Sequence, residues 1–142
     1  MPAHLMLLYP TVDYDTSRES VRKYWLTPGF CGYTYPKIYE YYLKDGDHGM
    51  PEYATPFQAE DVAGFPPVYM EVMECDPLHD EGCAYAEKLK AAGVSVDFHD
   101  VSKGFHGYDM WSDRPFAKEG VNRRLQVWKE LVRKTEGTVA LS

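Results

Sequence analysis

The apolar positions along this chain change their period in the middle third, and each change marks an element. Val68-Tyr69-Met70-Glu71-Val72-Met73 is a short run, apolar except for Glu71 and rich in β-branched and aromatic residues. Pro66-Pro67 precedes it and Glu74-Cys75-Asp76-Pro77-Leu78 follows at once, so the run predicts a strand over 67–73 closed by turn chemistry. From Asp80 to Ala92 the spacing becomes helical, with Cys83, Ala86, Leu89 and Lys90 three or four apart and Gly93 as the stop. Val94, Val96 and Phe98 then alternate, which predicts a second strand over 94–101. Strand, helix, strand with short joints is a βαβ unit, whose strands run parallel with a right-handed crossover.

The flanks are read in the same way. His4 to Leu8 is a short apolar run ending at Tyr9-Pro10 and predicts a buried strand over 4–8. Residues 11–20 are polar and read as loop. Ser20 opens a short helix through Leu26, broken by Thr27-Pro28-Gly29. Thr34 or Tyr35, with Pro36 at the first helical position, opens another through Leu43. A long final helix begins after Ser112 or Asp113, with Pro115 near its first turn. Its apolar stripe is Ala117, Val121, Leu125, Trp128, Leu131 and Val132, its charges take the other face, and Gly137 is expected to end it. The fold class is α/β: a three-stranded parallel sheet fragment, 4–8, 67–73 and 94–101, with flanking helices in a single domain spanning 1–142.

Composition narrows the function classes. The chain has 142 residues, 44% hydrophobic and 26% charged, a globular balance. A net charge of −7 argues against a nucleic-acid partner and against an anionic membrane surface. No apolar run approaches transmembrane length, and the stretch from Met1 to Pro10 is too short for a signal peptide and lacks a basic flank. Three cysteines, an odd number without a signal, suggest reduced thiols and a cytoplasmic home. No cofactor is expected.

The βαβ unit sets two residues in a telling place. Asp76 follows the carboxyl end of one strand and His106 the same end of its neighbour, where active sites of open α/β sheets form. A carboxylate there can hold an imidazole in one tautomer as a general base. Glu74, Asp80 and Asp109 are competing acids, although Asp80 and Glu81 read more simply as first-turn helix charges. Cys75, His79 and Cys83, four apart, have the spacing of soft-metal ligands, but no further pair completes a tetrahedral set, so no metal is expected. Cys75 sits where an acid belongs rather than a nucleophile. Ser102, four residues before His106, lacks a strand-to-helix elbow to supply oxyanion donors.

The run from Pro66-Pro67-Val68-Tyr69-Met70 through Glu74-Cys75-Asp76-Pro77-Leu78-His79-Asp80-Glu81, then Tyr85-Ala86, Leu89 and Ala92-Gly93-Val94, then Gly104-Phe105-His106-Gly107-Tyr108, resembles the C-terminal half of the hormone-sensitive-lipase-like carboxylesterases. Upstream, Leu7-Leu8-Tyr9-Pro10, Tyr53-Ala54-Thr55-Pro56 and Ala59-Glu60-Asp61 follow the same pattern in order. The resemblance implies part of an α/β-hydrolase fold, with Asp76 as triad acid and His106 as triad base in ester hydrolysis through an acyl-serine. The departure is equally specific. The family's Gly-x-Ser-x-Gly elbow is missing; the nearest sequence, Gly93-Val94-Ser95-Val96-Asp97, ends in Asp at a helix-to-strand joint. No His-Gly-Gly-Gly oxyanion motif occurs either. The chain alone is therefore expected to be inactive, and a small ester would be its substrate only when a nucleophile-bearing half completes it. The alternative is a serine-less α/β module with a binding or structural role.

Two further expectations follow. Residues 11–50 hold nine aromatics: Tyr14, Tyr24, Trp25, Phe30, Tyr33, Tyr35, Tyr39, Tyr41 and Tyr42. They read first as amphipathic cover, rings buried and hydroxyls wet, whereas in the related esterases the segment can wall the substrate pocket. The strand at 4–8 carries no charge, bulge signal or proline to blunt an edge. With no neighbour on its outer side it is expected to pair, as a homodimer or with the missing half.

Overall fold

The computed structural model describes the backbone of residues 2–139 and side chains as far as residue 133. Strand β1 (Leu5–Leu8) opens the chain, followed by helices α1 (Glu19–Lys23), α2 (Tyr35–Tyr42) and α3 (Pro51–Ala54). Strand β2 (Val68–Met73), helix α4 (His79–Ala91) and strand β3 (Val96–Val101) form the βαβ unit, and helix α5 (Pro115–Val139) ends the described chain. The sheet order is β1-β2-β3, all parallel, with Leu5 opposite Val68 and Val68 opposite Val96. Two compact units make up the chain, Met1–His106 and Gly107–Ser142. No helix among the described residues is long and apolar enough to cross a membrane.

The first unit is built around β2. Every residue of this central strand is buried, which explains why it reads as a continuous apolar run rather than an alternation. Val68 and Met70 join Tyr85, Ala86, Leu89 and Val94 in the main core, under α4. Tyr69 and Glu71 share the other face, where the Tyr69 hydroxyl donates to the buried Glu71 carboxylate. Helix α4 lies close because Gly82 has no side chain: a Cβ built there falls 2.5 Å from Val72 Cγ1. Helix α1 is tied to the start of α4 by Ser20, whose hydroxyl donates to the Pro77 carbonyl (2.7 Å) and whose amide donates to Asp80 Oδ2 (2.8 Å). A second small core gathers Val21, Tyr35, Tyr39 and Leu78.

β1 pairs with β2 on one side only. Leu5 donates its amide to the Pro67 carbonyl and Tyr9 to Glu71 (3.0 and 2.8 Å), so by strand alternation the amides of Met6 and Leu8 face away from β2. Among the described residues no strand lies on that outer side. The expected edge is therefore present, and all four β1 residues are half-buried.

In the second unit the expected stripe of α5 is rotated. Among the described residues of α5, Ala117, Gly120 and Arg124 are the buried positions, whereas Leu125 and Trp128 are 47% and 58% exposed. The reason lies in the short 3₁₀ turn Tyr108–Met110. The Tyr108 ring is buried and a methyl on Gly120 would collide with its hydroxyl, while Arg124 pairs with Asp109 and lies over the Tyr108 ring. A small residue and a paired cation have displaced the larger apolar ones. Nor does Gly137 end α5, which continues to Val139. A lone glycine costs a helix only about 1 kcal/mol relative to alanine and stops it only where the backbone turns left-handed.

Gly82→Ala tests the close approach of α4 to β2. Alanine gains about 1 kcal/mol in helix propensity, but overpacking against a β-branched, buried Val72 costs about 1–3 kcal/mol. The expected result is a net loss of up to about 2 kcal/mol by denaturant unfolding. Gly64→Ala is the control, since nothing lies within 4 Å of a Cβ built there. Equal tolerance at both positions would contradict the packing described.

Candidate active site

Parallel pairing brings three chain segments to the carboxyl end of the sheet: Tyr9 after β1, Asp76 after β2 and His106 after β3. Asp76 leaves the sheet through the turn that starts α4. Its Oδ1 accepts the Leu78 amide (2.9 Å), an Asx turn across Pro77, and its carbonyl accepts the His79 amide (3.1 Å). Its Oδ2 accepts the Nδ1–H of His106 at 2.9 Å. The Asp76 side chain is 1% exposed and that of His106 27%, so the acid is sealed and the imidazole reaches the surface. An ionised carboxylate only accepts, so the proton of this bond sits on Nδ1 and Nε2 is the ring's remaining basic atom.

Two aromatic rings hold the imidazole in its plane. Phe30 stacks on it, with centroids 4.3 Å apart and planes at 23°, and Tyr9 meets it edge-on at 4.8 Å and 63°. Tyr9 has φ 37°, a left-handed conformation unusual for an aromatic residue. Its amide stays in the ladder with β2 while the backbone turns sharply after it. Held strain of this kind concentrates at functional sites. A cavity of about 310 Å³ opens beside the ring, walled by Leu8, Tyr9, Thr11, Phe30, Tyr35 and Ile38 among others.

The competing acids are occupied elsewhere. Glu74 accepts the Ser102 hydroxyl (3.0 Å) and the Lys103 amide (2.7 Å), which hold its carboxyl below the usual range. Ser102 is thereby bound to Glu74. Asp80 accepts from Ser20 and His79, and Asp109 pairs with Arg124 inside the second unit. His79 and Cys83 do approach each other, Nε2 to Sγ 3.7 Å. That contact, with the Asp80 and Asp100 carboxylates, keeps the His79 ring protonated, pushed up to about 10. Among the described residues no group of three or more His, Cys, Asp or Glu side chains could hold a metal ion.

Sequence reasoning found the Asp76 and His106 positions but missed Phe30, Tyr9 and Glu81. Phe30 was one of nine aromatics with nothing to single it out. Glu81 read as a first-turn helix charge, whereas it is completely buried. Its Oε1 accepts the amides of Val12 (2.8 Å) and Asp13 (3.3 Å), and Oε2 meets the Tyr35 hydroxyl. The signal available was its position: one turn along α4 from the Asx turn, on the same face as Tyr85 and Leu78.

Known proteins share this fold. Residues 1–110 match a family described by the α/β hydrolase fold. Esterase LipI of Mycobacterium tuberculosis is 34% identical over 84% of this chain, and an ethyl acetate hydrolase of Pseudomonas putida is 32% identical over 75% of it. A bacterial heroin esterase superposes with a TM-score of 0.80 at 32% identity over 87% of the chain, and esterase LipW of Mycobacterium marinum with 0.83 at 25% over 91%. The chain spans only 38% and 34% of the two curated relatives and 41% and 40% of the two solved chains. Over that partial length, the chain belongs to the hormone-sensitive-lipase-like carboxylesterases of the α/β-hydrolase fold.

Proposed function

We propose that this chain carries the acid and base of a carboxylic ester hydrolase. The observation that carries the reading is the bond from His106 Nδ1–H to the sealed Asp76 carboxylate, beside a cavity with aromatic walls. In this role His106 Nε2 takes the proton of a serine hydroxyl as its oxygen bonds to the ester carbonyl carbon. It returns that proton to the alkoxide as the C–O bond breaks and the alcohol leaves. A water then gives a proton to the same nitrogen as its oxygen bonds to the acyl carbon, and Nε2 returns that proton to the serine oxygen as the acyl C–O bond breaks, which releases the carboxylic acid and restores the serine. Asp76 fixes the tautomer and steadies the imidazolium formed in each half-reaction.

The serine and its oxyanion donors are not among these residues, since no Gly-x-Ser-x-Gly occurs. We assign them to a separate segment; this chain matches only about two fifths of the length of its relatives. The outer edge of β1, apolar and unblunted, is the place for that segment. Three free cysteines fit a reducing, cytoplasmic setting.

Four outcomes are expected. The chain by itself should hydrolyse p-nitrophenyl acetate no faster than its His106→Ala variant, and a reproducible excess would show a working nucleophile within it. Mixed with the serine-bearing segment of a related esterase, it should gain hydrolysis that His106→Ala abolishes. Asp76→Asn should lower kcat of that mixture by about 10⁴ with KM little changed, the mark of an interaction made only in the transition state. Indifference to Asp76→Asn would sink the assignment. Without the second segment, the β1 edge should pair two copies, burying more than roughly 1,000 Å². Sedimentation equilibrium over a wide dilution series checks this, and a monomer at every concentration would contradict it.

A further inference from the structure

Glu81 has no part in the Asp76–His106 pair, yet its carboxyl is fully buried and bonded to Tyr35 of the cavity wall. It reaches from α4 to the loop after β1, and its Oε1 already accepts two backbone amides, from Val12 and Asp13. Oε2 lies against the Tyr35 hydroxyl. The same hydroxyl oxygen lies against the Asp13 carbonyl, and Thr11 Oγ1 donates to it from 3.4 Å.

Counting protons decides the state of this cluster. The Tyr35 oxygen stands between two groups that accept, a carbonyl and a carboxyl oxygen, and a phenol has one proton to give. The Asp13 carbonyl has none. If the phenol donates to Glu81, the carbonyl faces a bare oxygen. If it donates to the carbonyl, Oε2 faces the bare oxygen unless Oε2 carries a proton itself. With that proton every contact is satisfied: Glu81 and Thr11 donate to the two lone pairs of Tyr35, and Tyr35 donates to Asp13.

We propose that Glu81 is a positioning residue that is protonated in the folded chain and through that proton holds Thr11 and Tyr35 in the wall of the His106 cavity, with Asp13 behind them. Thr11 and Tyr35 both line that cavity. The wall's use for an ester rests on the proposed function, but the protonation does not. The charged and titratable groups facing Glu81 are Asp13 and Arg18 from the loop, paired with each other at 2.6 Å, and Tyr35 and Tyr39 from α2. Burial pushes the carboxyl up to about 7, against the pull of the Tyr35 hydroxyl and the two amides that would bond its ionised form, and pushes the Tyr35 phenol up as well. The native chain thus holds this proton more tightly than the unfolded chain, where the carboxyl has its ordinary value of 4.5. Stability from this group is present below that value and is lost as pH rises toward about 7.

The test compares the full chain with Glu81→Gln and Glu81→Ala. Glutamine reproduces the protonated acid: its oxygen accepts the two amides and its NH₂ donates to Tyr35. Relative to Glu81→Gln, the folded-to-unfolded ratio of the unsubstituted chain should fall on the order of a hundredfold between about pH 5 and pH 8. Amide exchange at Val12 and Asp13, corrected for its intrinsic pH dependence, should accelerate over the same interval in the unsubstituted chain and not in the glutamine variant. Glu81→Ala should lose stability throughout. The carboxyl carbon resonance removed by Glu81→Gln should titrate near neutral pH. Titration in the ordinary carboxylate range, or a glutamine variant weaker by the same factor at both pH values, would overturn the proposal. None of these readouts uses an ester, so their failure would leave the Asp76–His106 assignment untouched.

Discussion

A carboxylate cannot be sealed from water without donors to meet it, and the arrangement at Asp76 follows from that requirement. An unpaired buried charge costs several kcal/mol. Asp76 avoids the cost with one donor from its own turn, the Leu78 amide, and one from across the sheet, His106 Nδ1–H. The first bond starts α4 in the right place. The second draws the loop after β3 back over the end of β2, where the Cys75 amide also meets the Gly104 carbonyl at 2.8 Å. The imidazole is then oriented on one side by a group that cannot donate, and Phe30 and Tyr9 restrict its plane. The polarity of the ring is thereby built into the sheet topology: two parallel neighbours put their following residues at one end, whereas an antiparallel pair would have separated them.

The same topology leaves a one-sided sheet. β2 is covered on both sides and reads as an apolar run, but β1 directs half of its amides away from its partner. Natural sheets blunt such edges with charge, proline or a bulge, and His4-Leu5-Met6-Leu7-Leu8 has none of these. The length relationship points the same way, since the relatives are more than twice as long as the part that matches. The proposed half-site, completed by further polypeptide, would account for the edge, the missing elbow and the partial coverage together.

What could be read from the sequence was what local pattern determines. Val68–Met73 was legible because a central parallel strand is apolar throughout, and α4 because its spacing and Gly93 mark it out. Asp76 and His106 were legible because turn chemistry fixed the strand ends. The rest depended on contacts distant in sequence. Phe30 reaches His106 across 76 positions, and Glu81 reaches Val12 across 69, so neither pairing leaves a local trace. The stripe of α5 failed for a related reason: Gly120 and Arg124 are buried by the Tyr108 turn, and a rule that buries the largest apolar residues chose Leu125 and Trp128 instead.

The central claim is that Asp76 fixes one tautomer of His106. Nitrogen-15 NMR of the imidazole, recorded on the intact chain where the ring is neutral, reads this directly. The account predicts that Nδ1 carries the hydrogen and Nε2 is bare, with a strongly deshielded Nδ1 proton that Asp76→Asn removes as the tautomer preference collapses. A ring that carries its hydrogen on Nε2, or one whose tautomer is the same with aspartate and asparagine at position 76, would contradict it.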